Sequence, residues 1–181
     1  MAARSSIDRY GSVAVAIHWL TAVAIVALVG LGLAAANAAD PDLKAALLRA
    51  HVPLGTLVLL LTIFRIVWWF IDRRPAPLAG MPRWQVSAEG LVRILLYALI
   101  LVLGSSGITL IILSGAGAVL FGGAAGPLAD FWQFPPMFAH YVAALLLIAL
   151  AGGHIVAALY HQFFKRDRVL SRMGLGSAPP A

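Results

Sequence analysis

The chain has 181 residues, of which 62% are hydrophobic and only 11% charged. Soluble domains are near 45–50% apolar and about 25% charged, so this composition excludes an ordinary soluble domain and indicates an integral membrane protein. The net charge of +6 does not indicate a nucleic-acid partner, because most of the basic residues lie in the short segments that flank apolar runs.

Four apolar runs follow one another, at about 12–34, 52–71, 91–113 and 138–160. Each reaches or exceeds the roughly 20 residues that a helix needs to cross a bilayer. Their interiors lack the alternating pattern of outer-membrane strands. The sequence therefore predicts an all-α fold: a transmembrane four-helix bundle over residues 12–165, with an arm over 1–11 and a tail over 166–181.

The first run could instead be a secretory signal peptide, since Arg4 and Arg9 precede it and small residues follow at 34–40. Its length is about twice the usual 7–15-residue apolar core of such peptides, which favours a retained helix.

Basic residues exceed acidic ones in the arm, in the 72–93 connection and in the tail, whereas the loops at 35–50 and 114–137 carry no such excess. The positive-inside rule then places both termini in the cytoplasm. The loop after the first run contains DPDLKAALLRA, where Pro41 and the flanking Asp residues suit a helix start. This piece is expected to lie at the outer surface and to lead into the second helix at His51. The Gly-rich segment 114–136 is expected to be an outer loop, with room for a short interfacial helix.

Three histidines fall within the apolar runs and His51 directly precedes one, and the four sort by depth. His140 and His154 share the fourth helix, and 14 residues place them roughly 21 Å apart within about 40° of one face. His18 lies early in the first helix, at the depth of His154. His51 opens the second helix at the depth of His140. The sequence thus predicts two imidazole pairs at two levels.

Several kinds of site use intramembrane imidazoles. A single histidine can simply hydrogen-bond to a neighbouring helix. Zinc takes three or four protein ligands, more than the two at each level, and a proton relay would need acidic residues that the runs lack. Two imidazoles at one depth suit bis-histidine ligation of a b-type haem in the bundle core. Small residues at Gly55, Gly152 and Gly153 would leave space beside it. The absence of cysteine excludes thiolate sites and c-type haem attachment.

Four stretches together resemble the bacterial cytochrome b561 family over about 9–173. They are RYGSVAVAIHWLTA (9–22), RAHVPLGTLVLLLTIFRIVW (49–68), APLAGMPRWQ (76–85) and AHYVAALLLIALAGGHIVAALYHQFFKRDRVLSRM (139–173). The resemblance implies a membrane bundle with two b haems, held by His18 and His154 on the cytoplasmic side and by His51 and His140 on the periplasmic side.

The resemblance also implies electron exchange with ubiquinone in the bacterial inner membrane. One branch of the family oxidises periplasmic superoxide and passes the electron to ubiquinone. His161 stands where the family tends to carry a histidine near a proposed quinone site, although an ordinary interfacial histidine is an equal alternative. Arg49, two residues before His51, could steer superoxide, but Asp40 and Asp42 nearly cancel the charge of its loop.

Two points stay open. Arg93 in LVRILLY replaces a histidine of many relatives, and it could pair with a haem propionate or a lipid phosphate.

The alternative function is a quinol-linked relay subunit that serves a separate redox protein, with the apolar 114–136 loop as its docking surface. A haem-free transporter would leave the four histidines unexplained.

Overall fold

The computed structural model describes residues 2–78, 80–167 and 169–175, and all regular structure in these ranges is helical. Its long helices are α1 (Ser12–Asn37), α2 (Pro41–Ile71), α3 (Arg83–Leu113) and α5 (Pro135–Tyr160). Short elements are α4 (Ala116–Phe121), a 3₁₀ turn (Phe131–Gln133), a π-helical turn (His161–Lys165) and α6 (Val169–Arg172). Arg168 and residues 176–181 of the predicted tail lie outside the described residues.

The four long helices are each long and apolar enough to cross a membrane, which confirms the predicted all-helical membrane fold. Large apolar side chains cover their outer surfaces, and Val26, Leu60 and Ile112 are 68%, 58% and 69% exposed. In water this surface would be unfavourable, whereas lipid tails are as apolar as the side chains themselves.

Helix α2 begins at Pro41, which confirms the helix start expected there and lies about ten residues before the predicted span. The Asp40 side chain accepts a hydrogen bond from the Asp42 backbone N–H at 3.0 Å, and proline suits the first helical position. Residues 41–50 form the first turns of α2 itself, where a loop was expected. As a result His51 lies inside the helix, where the flanking turns fix its backbone.

The bundle consists of two layers, each made of two long helices packed together. Helix α1 packs on α2, α3 packs on α5, and α2 joins the layers through α3. Val58, Ile100 and Leu147 form the core where these helices meet. Gly104 lets α3 approach α2, since a Cβ there would stand 2.8 Å from Leu59. In the described part of the chain α5 makes little backbone contact with α1 or α2, so the side between them is loosely packed.

Both termini meet at one end of the bundle, called here the inner end. The Ser5 amide and hydroxyl donate to the Asp72 carboxylate at 2.9 and 2.5 Å. Arg172 donates to the backbone carbonyls of Asp8 at 2.8 Å and Ala76 at 2.6 Å. The arm, the α2–α3 connection and the C-terminal segment are thereby tied into one cap.

Candidate functional site

The outer imidazoles face each other across two helices. His51 projects from α2 and His140 from α5, and their ring centroids are 6.3 Å apart with an interplanar angle of 61°. Two imidazoles that share one metal ion, each through a bond of about 2 Å, have ring centres roughly 6 Å apart. The outer pair therefore has the spacing of two axial ligands on one ion.

Each outer imidazole also rests against a glycine of a neighbouring helix. A Cβ at Gly32 on α1 would stand 3.2 Å from Cε1 of His51, and one at Gly107 on α3 would stand 3.4 Å from Cε1 of His140. A Cβ at Gly32 would crowd the His51 ring, whereas one at Gly107 would just reach ordinary van der Waals contact with His140, so the two glycines leave room for the imidazoles. The sequence analysis named neither Gly32 nor Gly107 as a neighbour of an imidazole.

Ser106 and the Leu103 backbone are hydrogen-bond partners of His140. The Ser106 hydroxyl donates to the Val102 carbonyl at 2.6 Å, so its oxygen is left to accept at 3.2 Å from Nδ1 of His140. A hydrogen on Nδ1 leaves the Nε2 lone pair free. This is the arrangement of a metal-binding histidine, whose second nitrogen donates to a fixed acceptor. Nδ1 of His51 is buried without a hydrogen-bond partner among the described residues.

The inner imidazoles are arranged differently. Nη1 of Arg65 lies 3.2 Å from Nδ1 of His18, and a guanidinium can only donate. His18 also contacts the Trp19 ring at 5.2 Å and lies within electrostatic range of His154. Ligation of a metal through Nε2 of His18 would put the hydrogen on Nδ1, so Arg65 would have to turn away. Sequence reasoning did not single out Arg65.

Space is available beside His154, which is exposed on α5. A Cβ at Gly152 or Gly153 would meet no atom within 4 Å. At the outer level a Cβ at Gly55 would make only an ordinary contact with Leu28, at 3.8 Å. Together with the loose packing of α5 against α1 and α2, these positions leave room for a flat group between the layers.

A small, open cleft lies at the inner end beside Arg65. The Arg74 guanidinium stacks over the Trp69 ring at 3.7 Å, and Arg93 lies 5.5 Å from the same ring. Arg93 pairs with Glu89 at 3.2 Å. The cleft is therefore rich in guanidinium groups, and it places the unusual Arg93 within reach of the inner level.

The remaining candidates lie at opposite ends. Arg49 is exposed at the outer end, where its Nε donates to the Leu120 carbonyl at 2.9 Å. It therefore fastens α4 to α2. His161 begins the π-helical turn at the inner end, and its Nδ1 lies 2.6 Å from the Asp167 carboxylate.

Among the described residues no group of three or more His, Cys, Asp or Glu side chains could hold a metal ion. At the outer level two imidazoles lie together, which is the number that a bis-histidine haem takes from its protein. The geometry of the outer pair fits this group, and the fold and site together define a helical membrane protein of the b-type cytochrome class.

The comparisons with known proteins agree. Residues 9–176 match a family model described as prokaryotic cytochrome b561. The chain is 28% identical over 177 residues to "Cytochrome b561 homolog 2" of Escherichia coli (strain K12), covering 92% of this chain and 91% of that protein. It is 36% identical over 123 residues to "Cytochrome b562" of Cereibacter sphaeroides, covering 68% and 65%.

The chain belongs to the prokaryotic cytochrome b561 family, which confirms the resemblance drawn from the sequence. It is accordingly a multi-pass bacterial membrane protein, and its family supports haem b and a transmembrane electron-transfer role.

Proposed function

We propose that the chain carries electrons through two b haems, from superoxide at the outer, periplasmic end to ubiquinone at the inner, cytoplasmic end. The membrane would be the bacterial inner membrane. The observation that carries the proposal is the 6.3 Å separation of the His51 and His140 rings. Superoxide and ubiquinone are supported by the sequence resemblance to a superoxide-oxidising branch of the family.

The four intramembrane histidines would act in two pairs. His51 and His140 hold the outer haem, and His18 and His154 hold the inner one. A b haem bound in this way supplies one-electron exchange, with both axial positions filled by the protein. At the inner level Arg65 would leave Nδ1 of His18 and pair with an anionic group. Arg93, in the neighbouring cleft, could do the same.

The electron balance fixes the stoichiometry. Each superoxide loses one electron and leaves as dioxygen, whereas ubiquinone takes two electrons and two protons to form ubiquinol. Two superoxide ions are therefore consumed for each ubiquinol formed. The protons are taken up from water at the inner end, where His161 is the candidate proton partner because imidazole titrates near neutrality.

The test is superoxide consumption coupled to ubiquinone reduction by the purified haem-loaded protein. We expect catalysis far above that of free haem, and loss of coupling when His51 or His140 is replaced by alanine. The Gly30→Ala variant is a matched control, since a Cβ at Gly30 meets no atom within 4 Å. Turnover equal to that of free haem would contradict the proposal.

Arg49 would raise the encounter rate of superoxide with the outer end, because a cation at the mouth attracts a small anion. Its hydrogen bond to the Leu120 carbonyl is a second role, so the two need separate variants. Arg49→Lys keeps the charge but lacks Nε, whereas Arg49→Gln loses both. Steering predicts a slower, less salt-dependent reaction for Arg49→Gln alone. Equal losses in both variants would leave only the structural role.

A relay subunit for a separate redox protein is the second candidate. The outer loop presents exposed aromatic side chains, with Phe121 at 53% and Trp132 at 58% exposure. Such residues suit a docking surface. A redox protein that co-purifies in equal amount and is lost on Phe121→Ser and Trp132→Ser substitution would favour this function. Full catalysis by the isolated chain would count against it.

A further inference from the structure

The chain bends sharply after α5, and the bend brings an acidic residue back onto His161. Residues His161–Lys165 form a π-helical turn, and Arg166 adopts a left-handed backbone with φ of 59°. The Asp167 amide then donates to the His161 carbonyl at 3.2 Å. π-helical turns are rare and occur frequently at functional sites.

This backbone path creates a short contact between the two side chains. Nδ1 of His161 lies 2.6 Å from Oδ2 of Asp167, and the side chains are 20% and 26% exposed. Among hydrogen bonds between a ring nitrogen and a carboxylate oxygen this is a short one, as charge assistance produces. An ionised carboxylate only accepts, so the hydrogen must stand on Nδ1 of His161.

The hydrogen on Nδ1 determines what the other ring nitrogen, Nε2, can do. In neutral His161 a hydrogen on Nδ1 leaves Nε2 as an acceptor, and in the imidazolium form Nε2 is a donor whose charge the carboxylate stabilises. One nitrogen can therefore give a proton or receive one without the ring turning. The same logic governs a histidine held by an aspartate in hydrolases.

The aromatic side chains around His161 suit a flat ligand that arrives through the membrane. Tyr160 stacks on Phe164 with centroids 5.6 Å apart and planes within 20°, and the Tyr160 ring lies 6.0 Å from the His161 ring. Tyr160 is 48% exposed and Phe164 79% exposed. Open aromatic faces thus adjoin the imidazole at the inner end of α5.

We propose that Asp167 is the positioning residue that fixes the tautomer of His161, so that Nε2 exchanges a proton with a quinone oxygen. The proposal rests on the quinone role given to His161 above. During quinone reduction the Nε2–H bond of the imidazolium breaks and an O–H bond forms on the quinone. The electrons come from the inner haem, water supplies the second proton, and water at the inner end reprotonates His161.

The test uses the full haem-loaded chain with Asp167→Asn, which keeps the size of the side chain and removes its charge. We expect kcat for quinone reduction to fall about 100-fold with KM within about twofold, as loss of a poised acid–base group produces. Haem content and haem reduction by a chemical reductant should not change. Asp167→Glu should restore part of the rate.

Two further measurements separate positioning from structure. Gln162 lies in the same turn and accepts from the Leu170 amide at 3.2 Å, so Gln162→Ala disturbs the turn without touching the pair. Its kcat should equal that of the unmodified chain. Nitrogen-15 spectra should show His161 as the Nδ1–H tautomer, with signals assigned by His161→Ala, and Asp167→Asn should alter that tautomer.

The outcomes are distinct. An unchanged tautomer and unchanged kcat in Asp167→Asn overturn the positioning role, even if His161→Ala loses activity. Equal losses in Gln162→Ala and Asp167→Asn also overturn it, since disruption of the turn would then explain both. If the unmodified chain reduces no quinone, the proposed function fails, while the tautomer measurement still decides whether Asp167 orients His161.

Discussion

His51 and His140 lie on helices from different layers of the bundle, yet their ring centroids are only 6.3 Å apart. Nothing in the helix packing alone requires this, because α2 and α5 make little backbone contact in the described residues. Gly32 and Gly107 on the adjacent helices leave the space that the two rings occupy. The outer site is thus shaped by residues that would not themselves touch a bound ion.

Gly32 provides the first prediction. Replacing it with leucine should displace the His51 ring, since even a Cβ would stand 3.2 Å from Cε1. We expect loss of the outer haem and retention of the inner one, measured by haem content and by the reduced-minus-oxidised spectrum. Gly30→Leu on the same helix is the matched control and should keep both haems. Full outer-haem occupancy in Gly32→Leu would contradict the supporting role of this glycine.

Ser106 provides the second prediction. Ser106→Ala removes one hydrogen-bond partner of His140, which also bonds to the Leu103 backbone, and losing such a partner typically weakens metal affinity by about 10–100-fold. The measurement is the rate at which a haem scavenger, such as apomyoglobin, strips the outer haem. Ser105→Ala is the control, because the Ser105 hydroxyl donates to the Leu101 and Val102 carbonyls of its own helix. Equal stripping rates in the two variants would exclude the assigned role.

These residues show what the sequence could and could not predict. The depth of each histidine follows from its place along an apolar run, so the facing of His51 and His140 could be anticipated. Gly32 could not, because the helix that packs behind an imidazole depends on rotation and packing that periodicity does not reveal. Arg65 was missed for a similar reason: 47 positions separate it from His18, and only the fold brings them together.

The helix boundaries show the same division. Hydropathy located all four spans, but it placed the start of α2 near 52 because residues 40–50 are less apolar. The helix continues through them because Asp40 caps it and Ala and Leu favour it. Hydropathy reports the membrane, whereas capping and propensity decide where a helix begins.

Arg65 provides the third prediction. A guanidinium near the inner haem stabilises the reduced form, which carries one less positive charge. Arg65→Gln should therefore lower the midpoint potential of that haem, by on the order of 50–100 mV if the interaction is roughly 1–2 kcal/mol. Redox titration resolves the two haems, and the outer potential should stay unchanged. Arg83→Gln, an exposed position at the same end, is the control. A similar shift in both variants would mean that net charge alone is responsible.

Asp72 provides the fourth prediction, which concerns the stability of the cap. Burial of its carboxyl raises the pKa, but hydrogen bonds from Ser5 and Trp68 outweigh this, and the pKa lies below the ordinary 3.8. A carboxyl with a lowered pKa stabilises the fold above its unfolded pKa, and this stability is lost as the pH falls through the folded value. The cap should therefore loosen only below about pH 4.

The indole signal of Trp68 reports this titration, since its Nε1 donates to Asp72 at 3.2 Å. We expect a midpoint below 3.8 in the unmodified chain and a higher one in Ser5→Ala, which loses one donor. A midpoint that Ser5→Ala leaves unchanged would show that the arm does not act on this carboxyl.

The most direct test of the account is haem stoichiometry in single histidine variants. The unmodified chain should bind two b haems, quantified by the pyridine haemochrome spectrum. His51→Ala and His140→Ala should each lose the same haem, and His18→Ala and His154→Ala should each lose the other. A single haem in the unmodified chain would contradict the two-level pairing. So would two variants of one predicted pair that lose different haems.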